Sequence, residues 1–320
     1  MSVLARLKKA ILYVRLKFHF TLLNLIIKLV LRKRPHGYPS HYMTITGVNS
    51  HGRLRIYLHS PPPTDPAHNK LGQRPVHINF HGGGFCLNFH GRDARFCSLV
   101  AHEASCYVVD AHYRMAPNHP WPAAYQDCRR VLEWVRANER GMFDTEKITI
   151  GGNSAGANLA LAVAGTAKEG ELKGVVAFYP PVDFTVLYSK KPPPPRTRVE
   201  RAIGIVIPPR EADRFHAAYQ LDLPSQAMLA DPRLSPRFAP PEKFPGDGCT
   251  MILSCEYDYL DREAREIAQV LEDAGREPVR VWVKGMGHAR DQLCDDGTEG
   301  ARARDEMWRR AVEVIRHAQA

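Results

Sequence analysis

No acidic residue occurs among the first 34 positions, no two cysteines stand in C-x-x-C spacing, and no Asn-x-Ser/Thr acceptor occurs in the 320 residues. The seven cysteines, at 86, 97, 106, 128, 249, 255 and 294, are scattered and odd in number. That pattern argues against a disulfide framework and against a structural zinc site. There is also no Gly-Lys-Ser/Thr and no G-x-G-x-x-G opening a βαβ unit, so nucleotide binding is unsupported. The missing acids localise the net charge of +10: nine of the 44 Lys and Arg lie in residues 1–34, which leaves 35 against all 34 acids. The basic character belongs to an arm, and nucleic acid is not an expected partner. The lack of glycosylation acceptors agrees with an intracellular location.

What is present fits one large α/β domain with an insertion, or two small domains, at ordinary composition: 44% apolar and 24% charged residues. Residues 4–31 are rich in Leu, Ile, Val and Phe, contain no Gly or Pro, and read as a helix. Arg15, Lys17, His19, Asn24 and Lys28 interrupt the run, so it makes a poor membrane span. No small-residue cleavage site follows, as a signal peptide requires; the run ends in Arg32-Lys-Arg34-Pro35. Arg6, Lys17, Thr21, Asn24 and Lys28 share one stripe, with Lys8, Arg15 and His19 roughly opposite. Residues 1–34 are expected either to lie on a membrane surface, the basic side chains snorkelling, or to pack over the domain as part of a lid.

Beyond Pro35, β-rich runs at 41–48, 54–59, 76–81, 106–111, 147–151, 174–179, 250–255 and 279–283 alternate with helical ones. The helices are expected at 93–104, 123–139, 155–168, 262–274 and 302–318. Such alternation implies a mostly parallel eight-stranded sheet with helices on both faces, ligands collecting at the carboxyl ends of the strands. Between 183 and 244 the rhythm breaks, with the proline run Lys190-Lys-Pro-Pro-Pro-Pro-Arg196 and a helix near 211–221. This stretch reads as a cap inserted between core segments 35–182 and 245–320, the proline run serving as a stiff connector or as a polyproline ligand.

Ile148-Thr-Ile-Gly-Gly-Asn-Ser-Ala-Gly-Ala-Asn-Leu-Ala160 sets one serine between glycines at a strand-to-helix junction. That is the layout of a nucleophile elbow, though a plain glycine-rich turn has the same letters. After the third strand stands His81-Gly-Gly-Gly84. Bare backbone N–H groups there, with that of Ala155, suit a tetrahedral oxyanion, while a phosphate nest is the other use of such a loop. A serine hydroxyl needs a base oriented by a third group, in the chain order Ser, acid, His. Strand seven ends in Ser254-Cys-Glu-Tyr-Asp258, and strand eight is followed by Gly285-Met-Gly-His288. Ser154, Asp258 and His288 therefore come to one sheet edge, with Glu256 and Asp261 as rival acids.

Taken together, HGGG (81–84), Tyr113-Arg-Met-Ala-Pro117 with its continuation to Ala124, Gly152-Asn-Ser-Ala-Gly156, Asp231-Pro-Arg-Leu-Ser-Pro236 and the Asp258 and His288 segments resemble the hormone-sensitive-lipase-like branch of the α/β-hydrolase superfamily. The resemblance implies an α/β-hydrolase fold with a cap, and a serine esterase acting on small-molecule or lipid esters through an acyl-serine, without cofactor or metal. It also implies a Ser154, Asp258, His288 triad and an oxyanion hole from Gly83, Gly84 and Ala155. An amide deacetylase on the same triad and a non-catalytic small-molecule receptor are the alternatives. Three positions depart from the pattern: Asn153 stands where Asp is frequent, Tyr259 where Pro is, and Ala289-Arg290 where Gly-Phe is. The last puts the shape and charge of one pocket wall in question. Phe85, Phe89 and Trp121 are the expected pocket side chains; oligomeric state is not legible.

Overall fold

The computed structural model describes residues 3–30, 41–46, 53–62, 73–195 and 205–320. Eight strands form one sheet in the order β1-β2-β4-β3-β5-β6-β7-β8. They are β1 His41–Thr46, β2 Arg53–His59, β3 Arg74–Phe80, β4 Tyr107–Ala111, β5 Phe143–Asn153, β6 Gly174–Phe178, β7 Thr250–Tyr257 and β8 Val279–Gly287. The first two are antiparallel to their neighbours and the rest run parallel. Each expected strand is present; positions 47 and 48 of the first lie outside the described residues.

The strands run as their sequences dictate. Every residue of β6 (GVVAF) is buried, as a central strand covered on both faces must be. In β8 (VRVWVKGMG) partly buried and exposed residues alternate at first, as at an edge with one face in water. Helices α3 Ala123–Ala137, α4 Ala155–Ala164 and α6 Asp261–Asp273 contribute to one core cluster, and α2 Ala94–Glu103 and α7 Glu299–Ala318 to a second. The α4 sequence AGANLALAVA is buried all round, which only a central helix tolerates. It ends at Ala164, four residues short of the expected boundary, where Gly165 takes the C-cap.

Helix α1, Val3–Val30, has two apolar faces rather than one. Leu16 and Phe20 are buried in the first core cluster, with Leu23 and Ile27 packed against it. Each fully buried side chain contributes about 1.5–3 kcal/mol. On the opposite side Leu4, Leu7, Ile11, Val14, Phe18, Leu22, Leu25 and Leu29 are all exposed. The two polar stripes read from the sequence separate these faces, which is why simple amphipathicity is poor. Lys9 pairs with Asp222 at 2.6 Å and His19 with Glu211 at 2.5 Å, tying α1 to the 183–244 stretch. The described residues of that stretch hold four short 3₁₀ turns and α5 Pro209–Tyr219, whose Tyr219 stacks on Phe85 at 3.8 Å.

Candidate active site

Strand β5 ends at Asn153 and α4 begins at Ala155, so Ser154 alone carries the reversal, at φ 51°, ψ −116°. A side chain in that region costs about 1–3 kcal/mol and persists only where the surroundings enforce it. Here the Ser154 N–H donates to the Phe178 carbonyl at 2.9 Å, and its own carbonyl accepts from the Asn158 N–H at 3.0 Å. The flanking glycines answer to close approach: a Cβ on Gly152 or Gly156 would stand 2.3 or 1.9 Å from the Phe80 carbonyl oxygen. The G-x-S-x-G spacing is thus a packing requirement of the elbow against the end of β3.

Asp258 follows β7 and His288 follows β8, which brings both to the edge where Ser154 stands. His288 Nε2 lies 2.9 Å from Ser154 Oγ, and its Nδ1 lies 2.6 Å from Asp258 Oδ2. The other Asp258 oxygen accepts from the Leu260 N–H at 3.1 Å, fixing the carboxylate plane. The two rival acids are engaged elsewhere: Glu256 Oε2 accepts from the Gly285 N–H at 2.7 Å, and Asp261 pairs with Arg265 at 2.9 Å. The His288 backbone is held by Ile205, its N–H donating to the Ile205 carbonyl at 2.8 Å and its carbonyl accepting at 3.0 Å.

Across from the serine, Gly83 and Gly84 have φ of 114° and 58°, which side chains rarely adopt. The Gly83 carbonyl accepts from the Cys86 and Leu87 N–H groups, curling the loop. Among the described residues none of the Gly83, Gly84 and Ala155 N–H groups has a partner, so all three remain available as donors. The Phe215 ring lies where a Cβ on Gly84 would be, at 2.5 Å. Tyr113 of the second sequence block donates its hydroxyl to the His81 carbonyl at 2.8 Å and so steadies the start of the glycine run.

One residue that supports the site was read from the sequence as an interruption of the apolar run and a member of one polar stripe, with no link to the site. Asn24 of α1 donates through Nδ2 to the Cys86 carbonyl at 3.0 Å, and its Oδ1 accepts from the Asn88 N–H at 2.9 Å. It grips the backbone of the loop that begins with Gly82, Gly83 and Gly84. The signal in the sequence was an amide on a stripe otherwise made mostly of basic residues.

The cavity above Ser154 has a volume of about 410 Å³ and is mainly apolar, with Leu23 and Ile27 of α1, Phe215 of α5 and Leu260 among its walls. Phe85 and Phe89 line it as expected, but Trp121 does not. Trp121 is buried instead beneath Arg233, donating to that residue's carbonyl at 3.4 Å. Nor does Arg290 bring charge to the wall: Ala289 lines the cavity, while Arg290 turns away and packs against Gly300. The φ of 53° at Ala289 makes that turn.

Beneath the elbow, Asn153 Nδ2 donates to Asp93 Oδ1 at 3.0 Å, and Asn79 donates to Asp93 Oδ2 at 3.1 Å. Burial, reinforced by the charge of Asp110, pushes Asp93 up to about 8 despite those donors. The departure at position 153 has a reason: an amide there can donate to Asp93, whereas a carboxylate would oppose it.

Residues 77–291 match the family model described as the alpha/beta hydrolase fold. This chain belongs to the α/β-hydrolase family. Within it, the chain is 32% identical over 247 residues to the carboxylic ester hydrolase LipN of Mycobacterium tuberculosis, covering 74% of this chain and 62% of that one. It is 29% identical over 263 residues to tuliposide A-converting enzyme b2 of Tulipa gesneriana, covering 76% and 62%. The chain thus matches less than two thirds of the length of these relatives. A solved Pyrobaculum calidifontis esterase superposes with a TM-score of 0.73 at 26% identity, covering 94% of this chain and 92% of the other. These matches place the chain in the hormone-sensitive-lipase-like branch of the α/β-hydrolases, as the five sequence blocks imply. The antiparallel start of the sheet and the serine elbow after β5 are then the family's fold, reached here from the residues.

Proposed function

We propose that this chain is a serine hydrolase that cleaves carboxylic esters through an acyl-Ser154 intermediate. The observation that carries the reading is His288, whose two ring nitrogens face Ser154 Oγ at 2.9 Å and Asp258 Oδ2 at 2.6 Å. His288 Nε2 takes the Ser154 proton as Oγ attacks the ester carbonyl, and returns it to the departing alkoxide oxygen, leaving the acyl group on the serine. Water then attacks the acyl carbon, giving its proton to Nε2, and the carboxylic acid leaves as the proton returns to Oγ. Asp258 holds the tautomer with Nδ1–H and stabilises the imidazolium. Gly83, Gly84 and Ala155 supply the oxyanion donors, each contributing about 3 kcal/mol of barrier reduction. The similarity to ester hydrolases and esterases supports the ester class.

The reading extends to the apolar parts. Helix α1 and the described residues of 183–244 form the cap, since Leu23, Ile27 and Phe215 wall the cavity. The outer apolar face of α1, flanked by Arg6, Lys8, Arg15, Lys17 and Lys28, lies on an anionic membrane surface, so that apolar esters reach the serine from the lipid side.

Hydrolysis of a p-nitrophenyl ester series from acetate to palmitate, by wild type and Ser154→Ala side by side, tests the chemistry. Turnover abolished in the variant supports it, and the chain-length optimum sizes the acyl site. A folded wild type inactive on every ester, and unlabelled by a fluorophosphonate, would move the reading to a receptor. Co-sedimentation with anionic vesicles that survives replacing Leu7, Val14, Phe18 and Leu25 by serine would sink the membrane part.

A further inference from the structure

On the face of the sheet beneath α2 lies a second polar group that the ester chemistry does not use. His59 ends β2, Asp110 sits in β4, and Cys97 comes from α2. In the antiparallel register Tyr57 pairs with Asp110 and His59 with Val108, which puts both His59 and Asp110 on the sheet face that α2 covers. All three side chains are buried, at 2%, 0% and 0% exposure for His59, Cys97 and Asp110, so none can reach water. One donor atom from each lies within 4.8 Å of the other two.

The partners of these residues are unevenly shared out. His59 Nδ1 is 3.0 Å from Ser98 Oγ, while His59 Nε2 is buried with no partner. Asp110 Oδ1 accepts from Asn79 Nδ2 at 3.2 Å, while Asp110 Oδ2 is buried with no partner. Leaving a buried polar atom unpaired is destabilising, because its hydration is lost and nothing replaces it. Two of the three residues whose donor atoms converge thus each carry one unpaired buried atom, and the third is a buried thiol. A third unpaired atom, Asn79 Oδ1, belongs to the same network.

We propose that His59, Cys97 and Asp110 are the protein ligands of a structural Zn²⁺ site. An imidazole nitrogen, a thiolate sulfur and a carboxylate oxygen are the donors zinc takes in tetrahedral sites, at about 2.0–2.3 Å. Three atoms within 4.8 Å of one another surround a centre no more than about 2.8 Å from each, so side-chain shifts below about 1 Å bring all three to bonding distance. The fourth position falls to water or to Asn79 Oδ1. Binding releases the Cys97 thiol proton to solvent, and Zn²⁺ with one thiolate and one carboxylate is electrically neutral, as a site without access to water demands. The outer partners are in place as well. Ser98 Oγ accepting from Nδ1–H leaves the Nε2 lone pair for the metal, and the Asn79 amide orients the carboxylate.

The ligands come from three segments separated by 38 and 13 positions, so no short cysteine or histidine spacing betrays them. Bound zinc would staple β2 and β4 to α2, the helix whose preceding residue, Asp93, receives the Asn153 amide beneath the elbow. Its role is to hold the scaffold, and it takes no part in ester cleavage.

The full chain, expressed in zinc-supplemented medium and purified without chelators, is assayed for metal by mass spectrometry. The expected result is about one zinc per chain in the wild type, falling well below that in Cys97→Ser and in His59→Gln. Protein grown with cobalt should show a near-ultraviolet thiolate-to-cobalt band that Cys97→Ser lacks. Circular dichroism establishes that each variant is folded. Should neither variant fold, an anomalous difference map from wild-type crystals at the zinc edge decides, with the peak expected between the three side chains. Zinc far below one per chain in the wild type, unchanged content in the variants, or a peak at Cys249, Cys294 or a surface histidine overturns the proposal. So does a map with a water or a direct His59–Asp110 ion pair at that point.

Discussion

Asn24 and Asn88, 64 residues apart in sequence, are joined by a hydrogen bond of 2.9 Å, and the same Asn24 amide reaches the Cys86 carbonyl. Helix α1 is thereby fastened to the loop that carries the proposed oxyanion glycines. Its Phe20 also packs on Phe215 at 4.9 Å, and Phe215 covers Gly84. The helix nearest the proposed membrane surface thus reaches the glycine loop through the two Asn24 hydrogen bonds and, by way of Phe215, one aromatic contact.

Replacing Asn24 by Leu keeps the volume and removes both links to the loop backbone. The expected outcome is a fall in kcat of about tenfold or more on a short soluble ester, since small misplacements of oxyanion donors are expensive. KM should move less, and affinity for a phosphonate transition-state analogue should drop with kcat. An unchanged kcat would show that the loop holds its shape without α1.

The three neighbouring acids separate by function. Asp258→Asn should lower kcat by about 10⁴, because the amide favours the wrong His288 tautomer. Glu256→Gln and Asp261→Asn, whose partners are Gly285 and Arg265, should retain activity within about tenfold of wild type. Steady-state kinetics of the three variants is the check, and equal losses would refute the assignment.

Asn153→Asp restores the residue frequent in the branch but sets a second carboxylate against Asp93, in place of an amide donating at 3.0 Å. Two such carboxylates share one proton at neutral pH and must separate their charges when it leaves. The variant should lose about 1–3 kcal/mol of stability at pH 9. At pH 6 it should lose less, as denaturant titrations at the two pH values would show. Equal losses at both would mean that Asp93 is not protonated.

Buried histidines set the acid limit. Burial holds His77, His112 and His216 down at about 3 and His90 at about 4, and His81 lies well below its ordinary value, with its neighbours His112 and His90 adding to the effect. The unfolded chain binds these protons near pH 6.5 while the native state refuses them, so the stability present above that pH is lost as pH falls. Asp93, raised to about 8, acts in the opposite sense because the native state keeps its proton. The histidines outnumber it, and unfolding free energy should drop by a few kcal/mol between pH 7.5 and 5.5. A flat profile over that interval would contradict the burial of these rings.

The sequence by itself determined what depends on local geometry. Alternating β-rich and helical runs specified the sheet, since burial on both faces demands continuous apolar strands. Gly152 and Gly156 specified the elbow, because only glycine fits two positions either side of Ser154 against Phe80. The meeting of Ser154, Asp258 and His288 at one edge followed from their places at strand ends. Contacts between distant segments were decided only by the tertiary structure. Glu256, Asp258 and Asp261 are nearly equivalent along the chain, and only the curl after β7 brings Asp258 to His288. Arg290 follows the histidine by two positions yet leaves the cavity, because Ala289 adopts a left-handed turn. Asn24 looked like a flaw in an apolar helix until packing set it against Cys86 and Asn88. His59, Cys97 and Asp110 carry no mutual signal at all, since what unites them is the docking of α2 on the sheet.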